Sequence, residues 1–108
     1  MSKRELYLQH AKKITSDIVR SYKPEKVILF GSLANEKDNN PQDIDLLVVK
    51  DTSEARRALR AAEVRKFVRD NSIPIDILVR TPLEYSEGLE QGQRFYREVE
   101  KGSYLYEK

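Results

Sequence analysis

The 108-residue sequence contains no cysteine, no tryptophan and one histidine, His10. Without cysteine the chain has neither a disulfide nor a thiolate ligand for a metal, and zinc normally recruits cysteine or histidine. No run approaches the ~18 apolar residues that span a membrane. The N-terminal segment Met-Ser-Lys-Arg-Glu also has no apolar stretch of the signal-peptide type. These absences argue against a disulfide-linked protein, a thiolate metal site, a membrane span and a secreted protein. We expect a soluble cytoplasmic protein with no membrane association.

An excess of charge of one sign is also lacking, because 20 Lys+Arg face 18 Asp+Glu. Such a balance gives no strong signal for nucleic-acid binding by bulk electrostatics. The length predicts a single domain over residues 1–108. A chain of this size is too short for a nucleotide site and a separate acceptor-binding domain. If it is an enzyme, we expect a partner to supply part of the site.

Helical and strand patterns alternate along the chain. Apolar residues four apart predict an amphipathic helix over 3–22. Short apolar runs predict strands over 27–30, 43–49 and 73–79. Further helices are predicted from Glu54 to about Asp70, from a capping box at Thr81 and Glu84, and around Phe95 and Val99, before a terminal strand or tail at 104–106.

This order predicts an α/β (α+β) fold with a small mixed sheet of three to four strands. The short connection between the first and second strands allows them to be antiparallel. The helical crossover from the second strand to the third favours a parallel pair.

The main chemical motif consists of Gly31-Ser32, ten intervening residues, and Asp43-Ile44-Asp45 at the start of the second strand. Residues two apart on a strand point to the same face, so Asp43 and Asp45 project together. Two carboxylates this close resist ionising together unless a cation lies between them. Oxygen ligands of this kind suit Mg²⁺ or Mn²⁺.

A third carboxylate, Asp76, lies in the third predicted strand. If that strand neighbours the second one, Asp76 completes a cluster able to hold two metals, with Asp76 as a ligand or a general base. One metal steadies a triphosphate and its leaving pyrophosphate, and the other lowers the pKa of an attacking hydroxyl. Gly31 allows close approach of the backbone to a phosphate, and Ser32 offers its hydroxyl and N–H to the same group.

The segments Gly31-Ser32-Leu33-Ala34, Asp43-Ile44-Asp45-Leu46 and Ile75-Asp76-Ile77 resemble the signature of the nucleotidyltransferase superfamily that includes DNA polymerase beta. The spacing and the closing Gly102-Ser-Tyr-Leu-Tyr106 are similar to the minimal nucleotidyltransferases of prokaryotes. This resemblance covers roughly residues 26–106.

The resemblance implies a two-metal transfer of a nucleotidyl group, AMP from ATP, to a hydroxyl. In that reading Asp43, Asp45 and Asp76 are the metal-binding and catalytic carboxylates, and Gly31 and Ser32 bind the nucleotide. It also implies that the partner is a helical HEPN-type toxin. An antitoxin of this type neutralises the toxin by adenylylating one of its tyrosines.

The sequence departs from the common family pattern at two places. Asn35-Glu36 replaces an Arg-Gly pair, and Gln42 replaces a serine before the first aspartate. The absence of that arginine, a cation near the phosphates in the family pattern, predicts weaker nucleotide affinity or an altered nucleotide preference.

Two alternatives stay open, a non-catalytic module that neutralises a helical partner by contact and a small-molecule nucleotidyltransferase. The oligomeric state is open as well. Arg4 and His10 fit an Arg-x5-His spacing similar to the ribonuclease motif of HEPN proteins, but His10 lies on the apolar stripe of the first helix. We therefore interpret it as a packing residue.

Overall fold

The computed structural model of the chain describes residues 1–38, 40–69 and 72–108. Its helices and strands alternate in the order that the sequence predicts. They are α1 (Lys3–Tyr22), β1 (Lys26–Phe30), a 3₁₀ turn (Ser32–Ala34), β2 (Ile44–Val49), α2 (Arg57–Arg65), β3 (Ile75–Arg80), α3 (Pro82–Glu90), α4 (Arg94–Glu100) and β4 (Ser103–Glu107).

Within the described ranges the strands form one mixed sheet in the order β3-β2-β1-β4. β1 is antiparallel to both β2 and β4, and β2 is parallel to β3. The predicted α/β class, the mixed sheet and both predicted strand directions are therefore confirmed. The terminal segment, left open between strand and tail, is a strand paired with β1.

Helices cover both faces of this sheet, which explains why β1 and β2 are apolar at successive positions. On one face α1 and α2 pack over alternate strand residues, which include Val27, Leu29, Leu46 and Val48. On the other face α3 and α4 pack over the remaining ones, among them Ile28, Leu47 and Val49. The result is a three-layer sandwich whose central strands are buried from both sides.

The helix starts follow the predicted capping chemistry in two places. Ser2 caps α1 by accepting a hydrogen bond from the Glu5 N–H. Thr81 and Glu84 form the predicted capping box at the start of α3, with Pro82 as its first residue. These local signals are strong because each satisfies backbone N–H groups that a helix leaves unpaired.

The predicted start of α2 at Glu54 is wrong, because the helix begins at Arg57. The Thr52 hydroxyl accepts from the Glu54 N–H and the Glu54 carboxylate accepts from the Arg56 N–H. These bonds to residues two positions earlier hold the segment in turns that compete with a helix. The predicted end near Asp70 is also wrong, because α2 ends at Arg65 and the N–H groups of the next three residues bond to carbonyls three positions earlier, as in turns. Asp70 and the predicted closure at Asn71 themselves lie outside the described residues.

The third strand is also shorter than predicted, since it begins at Ile75 and not at residue 73. Pro74 has no N–H to donate to the ladder, and its carbonyl accepts from the Ile44 N–H at 2.9 Å. That bond fixes the start of β2 against the segment leading into β3. In the described part of the chain, no helix is long and apolar enough to cross a membrane.

Candidate active site

The sheet register places two of the predicted site residues side by side. Asp45 is paired with Asp76 across the parallel β2–β3 ladder and with Phe30 across the antiparallel β1–β2 ladder. Neighbouring strands lie about 4.8 Å apart, so the three residues form a row across one end of the sheet. By strand alternation this row faces the α3–α4 side, because Leu47, two residues beyond Asp45, packs in that layer.

Asp43 lies just before β2 and meets Asp45 on the same face. Burial is the largest of four effects that together raise the pKa of Asp45 to about 6, the others being the charge of Asp43, a hydrogen bond with its carboxyl group and the charge of Asp76. Asp45 therefore keeps its proton up to a higher pH than an isolated aspartate does. A cation placed between these oxygens would remove the cost of ionising both groups.

Asp76 is more exposed than Asp43 and Asp45, and its charge acts on Asp45 from the neighbouring strand. Among the described residues, no three carboxylate or imidazole side chains are grouped closely enough to hold a metal ion together. The fold thus brings the three predicted aspartates to one sheet end and couples two of them directly. Ligation of metal by all three stays a prediction.

Gly31 directly follows β1 and supports Asp45. Its backbone, at φ 75° and ψ −154°, occupies a region that is essentially restricted to glycine. A Cβ built on Gly31 would also overlap Oδ2 of Asp45. Glycine is required here both by its backbone conformation and by the carboxylate against its Cα.

Ser32 begins the 3₁₀ turn and is half-buried beside Gly31. The turn spans only three residues, so its hydroxyl and N–H, and not a helix macrodipole, are what this segment offers to an anion. These groups lie at the same sheet end as the aspartates, as the motif spacing predicted. Phosphate binding by Gly31 and Ser32 stays a prediction.

Arg4 holds the loop that follows this turn. Its guanidinium donates to the carbonyls of Leu33 at 2.6 Å, Asn35 at 2.9 Å and Asp38 at 3.3 Å. The sequence had suggested only the Arg-x5-His spacing for Arg4, and the structure gives this residue a positioning role instead. His10 is half-buried on α1, and its role as a packing residue stays an interpretation.

An open groove of about 990 Å³ lies between the Gly31 turn and α4, and we call it the α4 groove. Phe30, Gly31 and Ser32 line one side, and Arg94, Phe95 and Lys101 line the other. The rings of Phe30 and Phe95 meet edge to face with centroids 5.8 Å apart. Because Gly31 contacts Asp45 and also lines the groove, the carboxylates and the groove adjoin each other.

The sequence analysis missed the α4 side of this groove. A usable signal existed, because Arg94 and Lys101 are seven residues apart and therefore lie on one helix face. Tyr96 and Val99 lie on the buried face of the same helix. Predicting that this face borders the Gly31 turn requires the tertiary packing of α4 on β1.

The sequence profile of the family described as "Nucleotidyltransferase domain" matches residues 11–103, which include Gly31, Ser32 and the three aspartates. This match covers most of the chain. The chain belongs to the nucleotidyltransferase domain family.

A crystal structure from Sulfolobus solfataricus, of a protein assigned as a nucleotidyltransferase, is similar to this nucleotidyltransferase domain. The sequence identity is 29%, the TM-score is 0.62, and the match covers 78% of this chain and 75% of that one. No curated protein matches the chain. The family and the fold together support nucleotidyl transfer from a nucleoside triphosphate as the general activity of the domain.

The donor set of this nucleotidyltransferase domain fits a hard divalent cation. The nearby side chains offer carboxylate oxygens, and the raised pKa of Asp45 beside Asp43 marks a place where a cation would be favoured. Asp43 and Asp45 would hold the ion, with Asp76 on the adjoining strand. A divalent cation bound there would neutralise phosphate charge and make the acceptor hydroxyl easier to deprotonate.

Proposed function

We propose that this domain is a Mg²⁺-dependent adenylyltransferase, able to use Mn²⁺ as well, that transfers AMP from ATP to a hydroxyl acceptor. The observation that carries the proposal is the half-buried carboxyl group of Asp45, held against Gly31 and next to the half-buried Asp43. Structural carboxylates at strand ends usually face solvent or cap a turn. A carboxyl group such as Asp45, whose pKa is raised by burial and by a neighbouring carboxylate, is typical of a functional site.

The residues have distinct roles in the proposed reaction. Asp43 and Asp45 ligate the cation, Asp76 is a ligand or accepts the proton of the acceptor hydroxyl, and Gly31 and Ser32 hold the phosphates. The acceptor oxygen forms a bond to the α-phosphorus, and the bond from that phosphorus to the bridging oxygen breaks. Pyrophosphate leaves with that electron pair, and the hydroxyl proton goes to the base.

We further propose that the acceptor is a tyrosine hydroxyl on a helical HEPN-type partner, so that the domain acts as an antitoxin. Support comes from the sequence resemblance and from the architecture of the described residues. Their helices all pack on the single sheet, and the Asp45 end of that sheet adjoins an open groove. A separate protein can therefore present its hydroxyl to this site. An ATP substrate also agrees with a cytoplasmic location.

The test is label transfer from ATP in Mg²⁺, with α-³²P and γ-³²P compared in parallel. The acceptor is the product of the neighbouring reading frame or a host lysate. The wild type is compared with D43N/D45N. A matched control is E87Q/E90Q, which removes two exposed carboxylates from α3.

We expect covalent α-label on the acceptor with wild type and E87Q/E90Q, no γ-label, and a loss of at least about 100-fold with D43N/D45N. Unchanged transfer by D43N/D45N would refute the proposed roles of the carboxylates. An absence of α-label despite tight binding to a confirmed partner would favour the contact-only module, whose D43N/D45N variant still neutralises the partner. Label on a small molecule alone would instead indicate a small-molecule nucleotidyltransferase.

A further inference from the structure

The aspartate site needs positive charge that its own strands do not supply. Asp43, Asp45 and Asp76 are acidic, and Glu36 in the following loop lines the α4 groove. A nucleoside triphosphate would bring about four more negative charges at neutral pH. Even with divalent cations bound, the β- and γ-phosphates require donors of their own. The Gly31 turn offers Ser32 but no cation of its own, and Lys37, which also lines the groove, is adjacent to Glu36.

The wall that α4 contributes to the groove carries two cations, Arg94 and Lys101, and one carboxylate, Glu98. Arg94 begins α4, Lys101 directly follows its last residue, and both line the groove across from Gly31 and Ser32. The only described carboxylate that pairs with either is Glu98, which lies 3.8 Å from Lys101 in a pair with both side chains mostly exposed. An exposed pair of this kind is weak and leaves the ammonium available.

The packing of α4 fixes where these cations can reach. Tyr96 and Val99 bury the other side of the helix against the sheet. Gly102, next to Lys101, lies so close to β1 that a Cβ there would overlap the Leu29 carbonyl oxygen. Lys101 is therefore held beside Leu29, near the end of β1 and two residues before Gly31.

We propose that Arg94 and Lys101 bind the β- and γ-phosphates of the nucleotide in the α4 groove and stabilise the departing pyrophosphate. This inference rests on the proposed function, because it assigns the triphosphate subsite of the same reaction. Arg94 offers a planar fork of N–H donors to the phosphate oxygens, and Lys101 a compact ammonium. As the bond from the α-phosphorus to the bridging oxygen breaks, negative charge grows on the pyrophosphate facing these two groups.

Equilibrium binding tests this assignment independently of turnover. The probes are α,β-methylene-ATP, which cannot transfer its AMP group, and AMP, both titrated by calorimetry in Mg²⁺. We expect the wild type to bind the triphosphate analogue at least about tenfold more tightly than AMP. R94Q/K101Q should lose about 30-fold or more in affinity for the analogue and less than about threefold for AMP, because charge-assisted hydrogen bonds to phosphate are lost.

Two further variants separate charge from folding. R97Q/K13Q removes two exposed cations that do not line the groove, and it should bind both probes like wild type. R94K/K101R keeps both charges but lacks the guanidinium fork at position 94, so its analogue affinity should lie between those of R94Q/K101Q and wild type. Thermal melts of all variants check that each is folded.

The outcomes distinguish this inference from the proposed function when label transfer is measured on the same proteins. Unchanged analogue affinity in R94Q/K101Q, or equal wild-type affinity for the analogue and AMP, would overturn the phosphate assignment even where label transfer occurs. A selective loss of analogue affinity would support it. If that loss occurs while the wild type transfers no α-label to any acceptor, the groove is a phosphate site and the proposed transfer fails.

Discussion

At the scale of single residues, the contact between Gly31 and Asp45 decides the geometry of the site. The glycine takes a positive φ and leaves room for a carboxylate oxygen where any other residue would place a Cβ. The carboxylate is in turn partly removed from water and faces Asp43. The position of the Asp45 carboxylate therefore depends on residue 31 being a glycine.

The variant G31A is expected to lose both stability and label transfer. The alanine would occupy a strained backbone region and push Asp45 out of the row, at a cost of about 2–3 kcal/mol in the free energy of unfolding. Urea unfolding measures the first effect and transfer of α-label the second. The control is G92A, because Gly92 also has a positive φ, 71°, but a Cβ there would meet only the flexible Arg97 side chain. A similar loss of transfer in both variants would contradict the assigned role.

Replacing the carboxyl group of Asp45 should stabilise the metal-free protein. The folded-state pKa of about 6 is above the ordinary 3.8, so the folded state binds more protons between these values. Wild-type stability should therefore fall as the pH rises from about 4 to about 6 and remain lower above that range.

D45N lacks this loss and should be more stable above pH 6 by roughly 1 kcal/mol, a figure discounted for solvent screening. The two proteins should become alike near pH 4. Thermal melts in a chelating buffer measure the difference. D51N, at an exposed position, serves as the control and should follow wild type. Lower stability of D45N at pH 7 would show that the carboxyl group is not under electrostatic strain.

At the scale of secondary-structure elements, a buried arginine ties α2 to α3. Arg60 is only 4% exposed, and its guanidinium bonds Glu84 Oε1 at 2.7 Å and the Glu54 carbonyl at 2.6 Å. Glu84 also accepts from the Thr81 N–H in the capping box. One carboxylate therefore caps α3 and neutralises a buried charge on α2.

The pKa of Glu84 predicts how this junction responds to acid. Burial raises this pKa, but the Thr81 N–H, the hydrogen bond from Arg60 and the charges of Arg60 and Arg57 outweigh burial and lower it to about 2. The stability that Glu84 provides is therefore complete above its ordinary pKa of 4.5 and is lost as the pH falls towards 2.

The variant E84Q should lose about 2 kcal/mol at pH 7, after a discount for partial exposure, because Arg60 keeps a buried charge without its carboxylate. Urea unfolding at pH 7, 4 and 3 should show this deficit shrinking as the pH falls. E90Q, exposed on the same helix, should match wild type at each pH. A deficit that does not change with pH would assign the effect to packing and not to charge.

At the scale of the whole molecule, one end of the sheet collects the functional residues. The last residue of β1 and the first residues of β2, β3 and β4 meet there, because β1 is antiparallel to β2 and β4 while β3 is parallel to β2. Aspartates from two strands, the Gly31 turn and α4 are thus brought together from distant parts of the sequence. A ligand bound at this end contacts several elements and should stabilise the entire domain.

Ligand binding should therefore raise the thermal midpoint of the wild type. With Mg²⁺ and α,β-methylene-ATP at about 100 times the dissociation constant, linkage provides about 2.7 kcal/mol, which corresponds to roughly 10 °C or more for a domain of this size. D43N/D45N should show less than about a third of that shift, and E87Q/E90Q the full shift. An equal shift in D43N/D45N would place the nucleotide away from the carboxylates.

The sequence by itself determined the α/β class, the parallel direction of the second and third strands and the capping box at Thr81, and it predicted the aspartates and the Gly31 turn as site residues. These follow from local periodicity, from turn and cap chemistry, and from the spacing of Gly31, Ser32, Asp43 and Asp45. It misplaced the start of α2, because hydrogen bonds from the Thr52 and Glu54 side chains compete with helix formation there.

Only the tertiary structure decided which distant residues meet. Strand register decides that Asp45 pairs with Asp76 and that Gly31 packs against the Asp45 carboxylate. The placement of α1 decides that Arg4 donates to the carbonyls of the loop after the Gly31 turn. Arg94 and Lys101 line the same groove as the Gly31 turn because Tyr96 and Val99 bury the other side of α4. Such contacts join segments tens of residues apart, and the free energy that selects them comes from burying both sheet faces at once.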